Sequence, residues 1–554
     1  MKAAYKSAIR DAQRAPKQAA WNRLHGAMVN SDTYGFWNSW KNLYSKNKTQ
    51  CATVVNGCSS KEGIADEFRK SFLGNSKPNN QNKVDLLNSR FQVKYQEYRE
   101  NHARDCNCNN YVVTLQNVLD AIYGMKAGKS ADADGFSAEH LHNAPMVLLI
   151  RLQRLFNHML RHGFVPKQFR FGSMIPIVKD SQGNHGDVSN YRGITISPII
   201  SKGFEHVLKM LFAENIATSP SQFGFKKNSS TVHALYCLKE TVSYFIENKS
   251  RVFCSFLDAS KAFDRLVHAG LFLKLMERKV PLVFLEIIMT WHDGLFCRVK
   301  WDGHYSEWFR ISAGVRQGGV LSPDLYSLYI DDLITILKSL GIGCYVRGIF
   351  AASLFYADDM AVLAPSIKGL QKLLDACNSY CEVWDIKLNE KKTKNICFGI
   401  GSTPTHSLSL NGSIIPWENQ CVYLGMMLKS GPVFSCSMKE TLGKFYRCLN
   451  SIIRIEGRSD DKVMLRLLEA HCLPILAYAI EVVHVTDRDD KRQLRVAYNS
   501  IYRKIFDFNY RESVTLLQHS LGRLTWEEYC AKRILSFSIR RGQSPPGSLL
   551  NAFD

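Results

Sequence analysis

No CxxC pair occurs in the 554 residues, and the 16 cysteines are scattered along the chain. The tightest spacings are Cys106-x-Cys108 and Cys377-x3-Cys381. Zinc-finger spacing is therefore absent, and the cysteine density is far below that of a disulfide scaffold. Cys254, Cys297 and Cys397 sit in apolar runs, where a free thiol packs as a small hydrophobe, as expected in a reducing compartment. Long apolar runs are missing too. Leu473–Val483 is among the most apolar stretches and is near half the length that spans a bilayer, so a soluble chain with no membrane partner is expected. The start, MKAAYKSAIR, lacks the apolar core of a signal peptide, and secretion is not expected. No internal repeat is visible. Acids are few: 50 Asp and Glu stand against 71 Lys and Arg, a net charge of +21. A surplus of that size points to a polyanionic partner, of which nucleic acid is the commonest. The remaining composition is ordinary, with 45% hydrophobic and 22% charged residues, which excludes wholesale disorder, collagen and a coiled-coil rod. At roughly 150 residues per domain, the length allows three or four domains or one multi-lobed enzyme.

The charge is uneven. Residues 1–50 carry nine Lys or Arg against Asp11 and Asp32, with Trp21, Phe36, Trp37 and Trp40 interleaved. Such a helix can lie along a phosphate backbone or pack its aromatics on the body, and the sequence leaves both open. Two polar stretches read as loops, KPNNQNK at 77–83 and RDCNCNN at 104–110, the second marking a boundary. Helical spacing relates Phe204, Val207, Leu208, Leu211 and Phe212, and again Leu370, Leu373, Leu374, Cys377, Cys381 and Trp384. Short apolar runs predict strands at Val252–Leu257, Ser353–Ala357, Met360–Ala364 and Asn395–Ile400. From about 436 onward the pattern is mostly helical, and residues 431–541 hold 19 Lys or Arg against 13 acids.

Chemistry concentrates where apolar strands end on acids. The run Val252–Leu257 stops at Asp258, and in SLFYADDMAVLA (353–364) two apolar runs flank Asp358 and Asp359. The second pattern predicts a β-hairpin with both carboxylates at its tight turn. Like charges side by side in apolar surroundings repel and are costly to desolvate, and a divalent cation offsets both terms. Three carboxylates on adjacent strands can hold two metals about 4 Å apart. The competing reading is an exposed turn that simply prefers Asp. Between these strands lies AGVRQGGVLSPDLYSLYIDDL (313–333). Gly314, Gly318 and Gly319 permit close backbone approach, and Pro323 opens a helix striped by Leu325, Leu328, Tyr329 and Leu333.

Together these segments resemble reverse transcriptases, specifically the polymerase of non-LTR, LINE-type, jockey-like retrotransposons. FLDASKAFD (257–264), GVRQGGVLSP (314–323) and FYADD (355–359) are similar to the first, second and catalytic palm motifs. LNEKKTK (388–394) with NICFG is similar to the fourth, and CVYLG (421–425) to the primer-grip hairpin. Upstream, GKSADADGFSAEHL (128–141), IPIVKD (175–180), NYRGITISP (190–198) and SQFGFKKNSSTVHAL (221–235) resemble the finger motifs in family order. FWNSW (36–40) resembles the stretch found ahead of the polymerase. Nine ordered motifs over roughly residues 110–430 are far more specific than a lone YADD.

The resemblance implies an α+β fold, a right-hand polymerase of fingers, palm and thumb with a basic helical N-terminal extension. Its parts would be 1–110, the extension; 111–435, fingers and palm; and 436–554, a helical thumb and C-terminal region. It implies that Asp258, Asp358 and Asp359, helped by the main-chain carbonyl of Ala259, bind two Mg²⁺ ions, with Mn²⁺ as the substitute. Lys392 is the matching candidate acid for pyrophosphate, with Lys391 and Lys394 as competitors. Lys179 and Arg192 would meet the triphosphate, and Gln317 and Gly318 would form the floor under the nascent base pair. Phe263 stands five residues after Asp258, where RNA-synthesising polymerases of this palm type carry an Asp that accepts a ribose hydroxyl. A ring there clashes with a 2′-hydroxyl and implies a DNA product, with a merely buried core aromatic as the alternative reading. Asp264 reads as a structural cap. Where the family has NYRPI, this chain has NYRGI, and Gly193 is expected to loosen a turn.

The implied partners are template RNA, a DNA primer or target, and dNTPs, handled in a nuclear and cytoplasmic ribonucleoprotein. Elements of this kind usually carry an endonuclease upstream. The chain therefore reads as the polymerase part of a larger element or a truncated copy, with nicking supplied elsewhere. An intron-encoded reverse transcriptase and a catalytically inactive RNA-binding remnant are the alternative readings.

Overall fold

The computed structural model describes residues 22–44, 52–103, 111–402, 404–456, 460–482, 488–543 and 549–553. Trp21, the basic residues before it and the polar stretch 104–110 lie outside the described residues. The chain forms two compact units. One comprises 1–51, 425–429 and 434–544, and the other comprises 52–424, 430–433 and 545–554. Among the described residues no helix is long and apolar enough to cross a membrane.

The first unit is mainly helical, built on 22–29, Thr33–Tyr44, Lys439–Glu456, Asp461–His471, Arg488–Ile505 and Trp526–Gly542. Leu24, Phe36 and Trp40 are buried in it, and Trp37 meets His471 edge-on at 5.8 Å. Of the two arrangements open for these aromatics, the described ones take the packed one.

The second unit contains eleven consecutive strands that frame the site. These are β1 (Phe171–Val178), β2 (Tyr191–Ile196), β3 (Val252–Asp258), β4 (Leu295–Trp301), β5 (His304–Tyr305), β6 (Phe309–Ile311), β7 (Tyr345–Val346), β8 (Ile349–Phe350), β9 (Ser353–Tyr356), β10 (Asp359–Ala364) and β11 (Lys394–Phe398). One antiparallel sheet runs in the order β11-β3-β10-β9. All six residues of β3 before Asp258 are buried, because the strand is central and covered on both faces. Helices Thr231–Glu247 and Ile367–Val383 pack on this sheet, and Ser322–Ser339 packs on the latter. A second sheet runs β2-β1-β4-β5, with β6 also pairing with β4.

The expected boundary at 110 does not divide the molecule. Residues 22–44 belong to the helical unit, whereas 52–103 belong with the strands. The reason is apolar: in helix Lys61–Asn75, Ile64, Ala65, Phe68 and Phe72 are buried, and Phe68 lies 4.8 Å from Tyr191 and 4.9 Å from Trp301. Each such phenylalanine contributes about 1.5–3 kcal/mol by leaving water. In helix Gln81–Ala103, Phe91 packs on Phe272 at 5.4 Å. That helix also shortens the loop expected at 77–83, which ends at Asn80. Gly193 is a second correction. It lies within β2 opposite Pro176 and not in a turn. A Cβ there would come within 3.0 Å of the Phe72 ring, so the glycine makes room for the N-terminal helix.

Candidate active site

The predicted hairpin is present. β9 and β10 pair antiparallel with Tyr356 opposite Asp359, leaving Ala357 and Asp358 as a two-residue turn. Asp358 occupies the turn and Asp359 opens β10. Asp359 is also directly opposite Asp258 across the β3–β10 ladder. Directly opposed residues point to the same face with Cα atoms about 4.5–5.5 Å apart, so those two carboxyl groups share one face. Burial raises the Asp358 pKa, and the Asp258 charge raises it further. Burial followed by the charges of Asp358 and Asp258 pushes Asp359 up to about 6. Lys392 brings a cation to the edge of this group, its Nζ 3.4 Å from Asp258 Oδ2. Lys394, the competitor, reaches away to Glu418 at 2.8 Å.

Among the described residues no group of three or more His, Cys, Asp or Glu side chains is drawn together as a metal site. The donor chemistry nevertheless fits a hard divalent cation: three carboxylates, two of them raised in pKa by burial and mutual charge. The further oxygen expected is the main-chain carbonyl of Ala259. Its bridge to Leu388 is held by Asn389 N–H to Asp258 O and Ser260 N–H to Lys387 O, both 2.8 Å. Those two bonds flank Ala259 and do not involve its carbonyl.

The turn that carries Asp358 is held from outside. Ala357 has φ +57°, a conformation that a residue with a Cβ adopts reluctantly. Gln222 is fully buried, and its Oε1 accepts the N–H groups of Ala357 at 2.9 Å and Gly224 at 3.0 Å. Phe223 N–H to Phe355 O and Phe355 N–H to Ser221 O add this segment alongside β9. Gly224 is required, since a Cβ there would stand 2.5 Å from the Ala357 nitrogen. SQFGF was legible as a motif, but its grip on the turn was not.

The remaining expected residues gather nearby. Phe263 stacks on buried Tyr326 at 4.7 Å and meets Phe225 edge-on at 5.9 Å. Gln317 donates from Nε2 to Asp264 at 2.6 Å, and its carbonyl accepts from Thr195 N–H at 2.7 Å. Asp264 is therefore no helix cap. It is a largely buried carboxylate that fixes Gln317, its pKa raised by burial and moderated by that bond and by Lys261, Lys179 and Arg192. Gly318 has φ +113°, and a Cβ there would lie 2.6 Å from the Thr195 oxygen. Lys179 donates to Ser189 O at 2.8 Å, and burial followed by the Arg192 charge lowers its pKa. Arg192 stands on β2, and its charge reaches Asp358 and Asp264. Behind the glycine-rich loop, fully buried Glu205 accepts the N–H groups of Val320 and Leu321, fixing the start of the following helix. Tyr326, Gln222 and Glu205 escaped the sequence reading because each acts on a distant segment.

Residues 177–428 match the family model described as reverse transcriptase (RNA-dependent DNA polymerase). The chain is 27% identical over 443 residues to the probable RNA-directed DNA polymerase from transposon BS of Drosophila melanogaster, covering 77% of this chain and 48% of that one. It is 28% identical over 406 residues to the RNA-directed DNA polymerase from mobile element jockey of Drosophila funebris, covering 71% and 44%. The chain thus spans less than half the length of these relatives. Apo telomerase from Candida tropicalis aligns over 73% of this chain and 74% of its own at 13% identity, with a TM-score of 0.37 too low to carry an argument. The matched segment contains both strands that bear the paired acids, and over it the chain is similar to the reverse transcriptases of jockey-like non-LTR retrotransposons.

Proposed function

We propose that this chain is an RNA-directed DNA polymerase that extends a DNA primer by copying element RNA. The observation that carries the reading is the gathering of Asp258, Asp358 and Asp359 at one end of a buried sheet, with burial and mutual repulsion raising two of them. In this reading Asp258, Asp358 and Asp359, with the Ala259 carbonyl, hold two divalent ions, Mg²⁺ being the hard cation suited to oxygen ligands. Ions held by these residues would lower the pKa of the primer 3′-hydroxyl and offset the charge of the leaving pyrophosphate. Lys179 and Arg192 present positive charge to the incoming triphosphate, since phosphoryl transfer is mostly positioning and electrostatics. In the same reading Lys392, which lies beside Asp258, gives a proton to pyrophosphate. Gln317, fixed by Asp264, and Gly318 form the floor under the new base pair. Phe263, backed by Tyr326, excludes a 2′-hydroxyl and selects deoxynucleotides. A template RNA, a DNA target and a nicking activity from a longer element belong to the same proposal.

The test is primer extension on an RNA template with Mg²⁺. Asp358→Asn should leave the fold intact and lower the rate by several orders of magnitude, because a ligand is lost. Activity within tenfold of the parent would overturn the assignment.

A further inference from the structure

Phe263 sits on a helix of only four residues, Ala262–Arg265, which cannot hold itself. The preceding Lys261 has φ +51° and gives no side-chain cap. Tertiary contacts must therefore place the ring. On one side, Val315 N–H binds Phe263 O at 2.8 Å and Gly314 N–H binds Leu266 O at 2.7 Å. On the other stands a segment from far upstream, Asn75–Asn80. Asn75 Oδ1 accepts from Lys261 Nζ, and Asn79 Oδ1 accepts from Arg265 Nη1. The two cations that flank Phe263 at i−2 and i+2 are thus both gripped by asparagines. The segment is anchored in turn. Buried Asp385 accepts the N–H of Asn79 at 2.7 Å and of Asn80 at 3.3 Å, and its carbonyl accepts from Asn79 Nδ2 at 2.7 Å. The Ser76 carbonyl accepts from Ala313 N–H at 3.1 Å and Ser312 Oγ at 3.0 Å.

We propose that Asn75 and Asn79 are positioning residues for sugar selection, acting as a strap that fixes the turn bearing Phe263. This rests on the reading of Phe263 as the group that rejects a 2′-hydroxyl. A ring that discriminates by clash must be held to within about 0.5 Å, and a four-residue helix tethered on one side only does not meet that demand. The strap also keeps the Lys261 and Arg265 charges on asparagine oxygens, where they neighbour Asp264 without displacing it. The strap lies upstream of residues 177–428, the segment that matches the family model.

The experiment uses the full chain and measures kcat/KM for deoxynucleotides and ribonucleotides on an RNA-templated primer. The parent, Asn75→Ala/Asn79→Ala, Asn75→Asp and Phe263→Val are compared, with thermal midpoints recorded. The double variant should lower the deoxy-to-ribo ratio at least tenfold by gaining ribonucleotide incorporation, with deoxynucleotide kcat within threefold of the parent. Asn75→Asp keeps an acceptor facing Lys261 and should keep the parent ratio. An unchanged ratio in the double variant, or equal loss on both substrates, while Phe263→Val shifts the ratio, would overturn the strap alone. An unchanged ratio in Phe263→Val would overturn the gate reading and the strap with it. If the double variant does not fold, single Asn75→Ala decides by the same ratio.

Discussion

Gln222→Met is the sharpest probe of how the turn bearing Asp358 is held. Methionine nearly matches glutamine in shape but offers no oxygen. Two buried N–H groups, those of Ala357 and Gly224, lose their acceptor. Each stranded donor costs about 1–3 kcal/mol, so about 2–6 kcal/mol is at stake if the turn does not move. The turn already carries the strain of Ala357 at φ +57°, worth about 1–3 kcal/mol, so relaxation is the easier response. Relaxation moves Asp358, and a displacement of about 1 Å can cost about 10²-fold in rate. The assay is steady-state primer extension below the thermal midpoint of the variant. We expect kcat to fall about 100-fold with KM for the nucleotide within threefold, since no nucleotide-contacting group changes. Gln222→Glu is the rescue. Gln222 Nε2 finds no hydrogen-bond partner among the described residues, so replacing it with oxygen loses no bond seen there, and burial favours the neutral acid. A kcat for Gln222→Met within threefold of the parent would refute the reasoning, as would a Gln222→Glu enzyme no better than Gln222→Met.

Two further outcomes follow from the geometry. The folded pKa of Asp359 is raised from 3.8 to about 6, so the folded state binds the proton more tightly and ionisation costs stability as pH climbs from about 4 through 6. Asp359→Asn should therefore raise the Tm of the metal-free protein at pH 7.5, leave it near the parent at pH 4, and abolish extension; equal Tm values at pH 7.5 would contradict this. Gly193→Ala should destabilise by about 1–3 kcal/mol because its Cβ meets the Phe72 ring, and Phe72→Leu should recover part of that loss in a double-mutant cycle. Strict additivity of the two changes in denaturant unfolding would show that the contact is not felt.

The palm was legible because its signals are local. β3 was expected at Val252–Leu257 and β10 at Met360–Ala364, and each lies within one residue of its observed bounds. The hairpin turn was readable because two acids interrupt an apolar run, and burying them within a strand without partners is costly. The N-terminal region was legible in kind and misread in place. Its helices and aromatics were visible, yet 22–44 and 52–103 join different units because each buries its apolar face on residues hundreds of positions away.

By itself, the sequence determined that Asp258, Asp358 and Asp359 end apolar strands, that the chain is strongly basic, and that its motifs stand in a recognised order. Hydrophobic alternation and turn chemistry act over a few residues, so a linear reading captures them. Only the tertiary structure decided that Gln222 holds the Ala357 turn, that Asp264 fixes Gln317, and that Asn79 joins Arg265 to Asp385, 306 residues further along. A buried polar group must find a partner, but its type does not say which one. That choice is made when distant segments pack, and it places the fine positioning of this site outside the reach of local pattern.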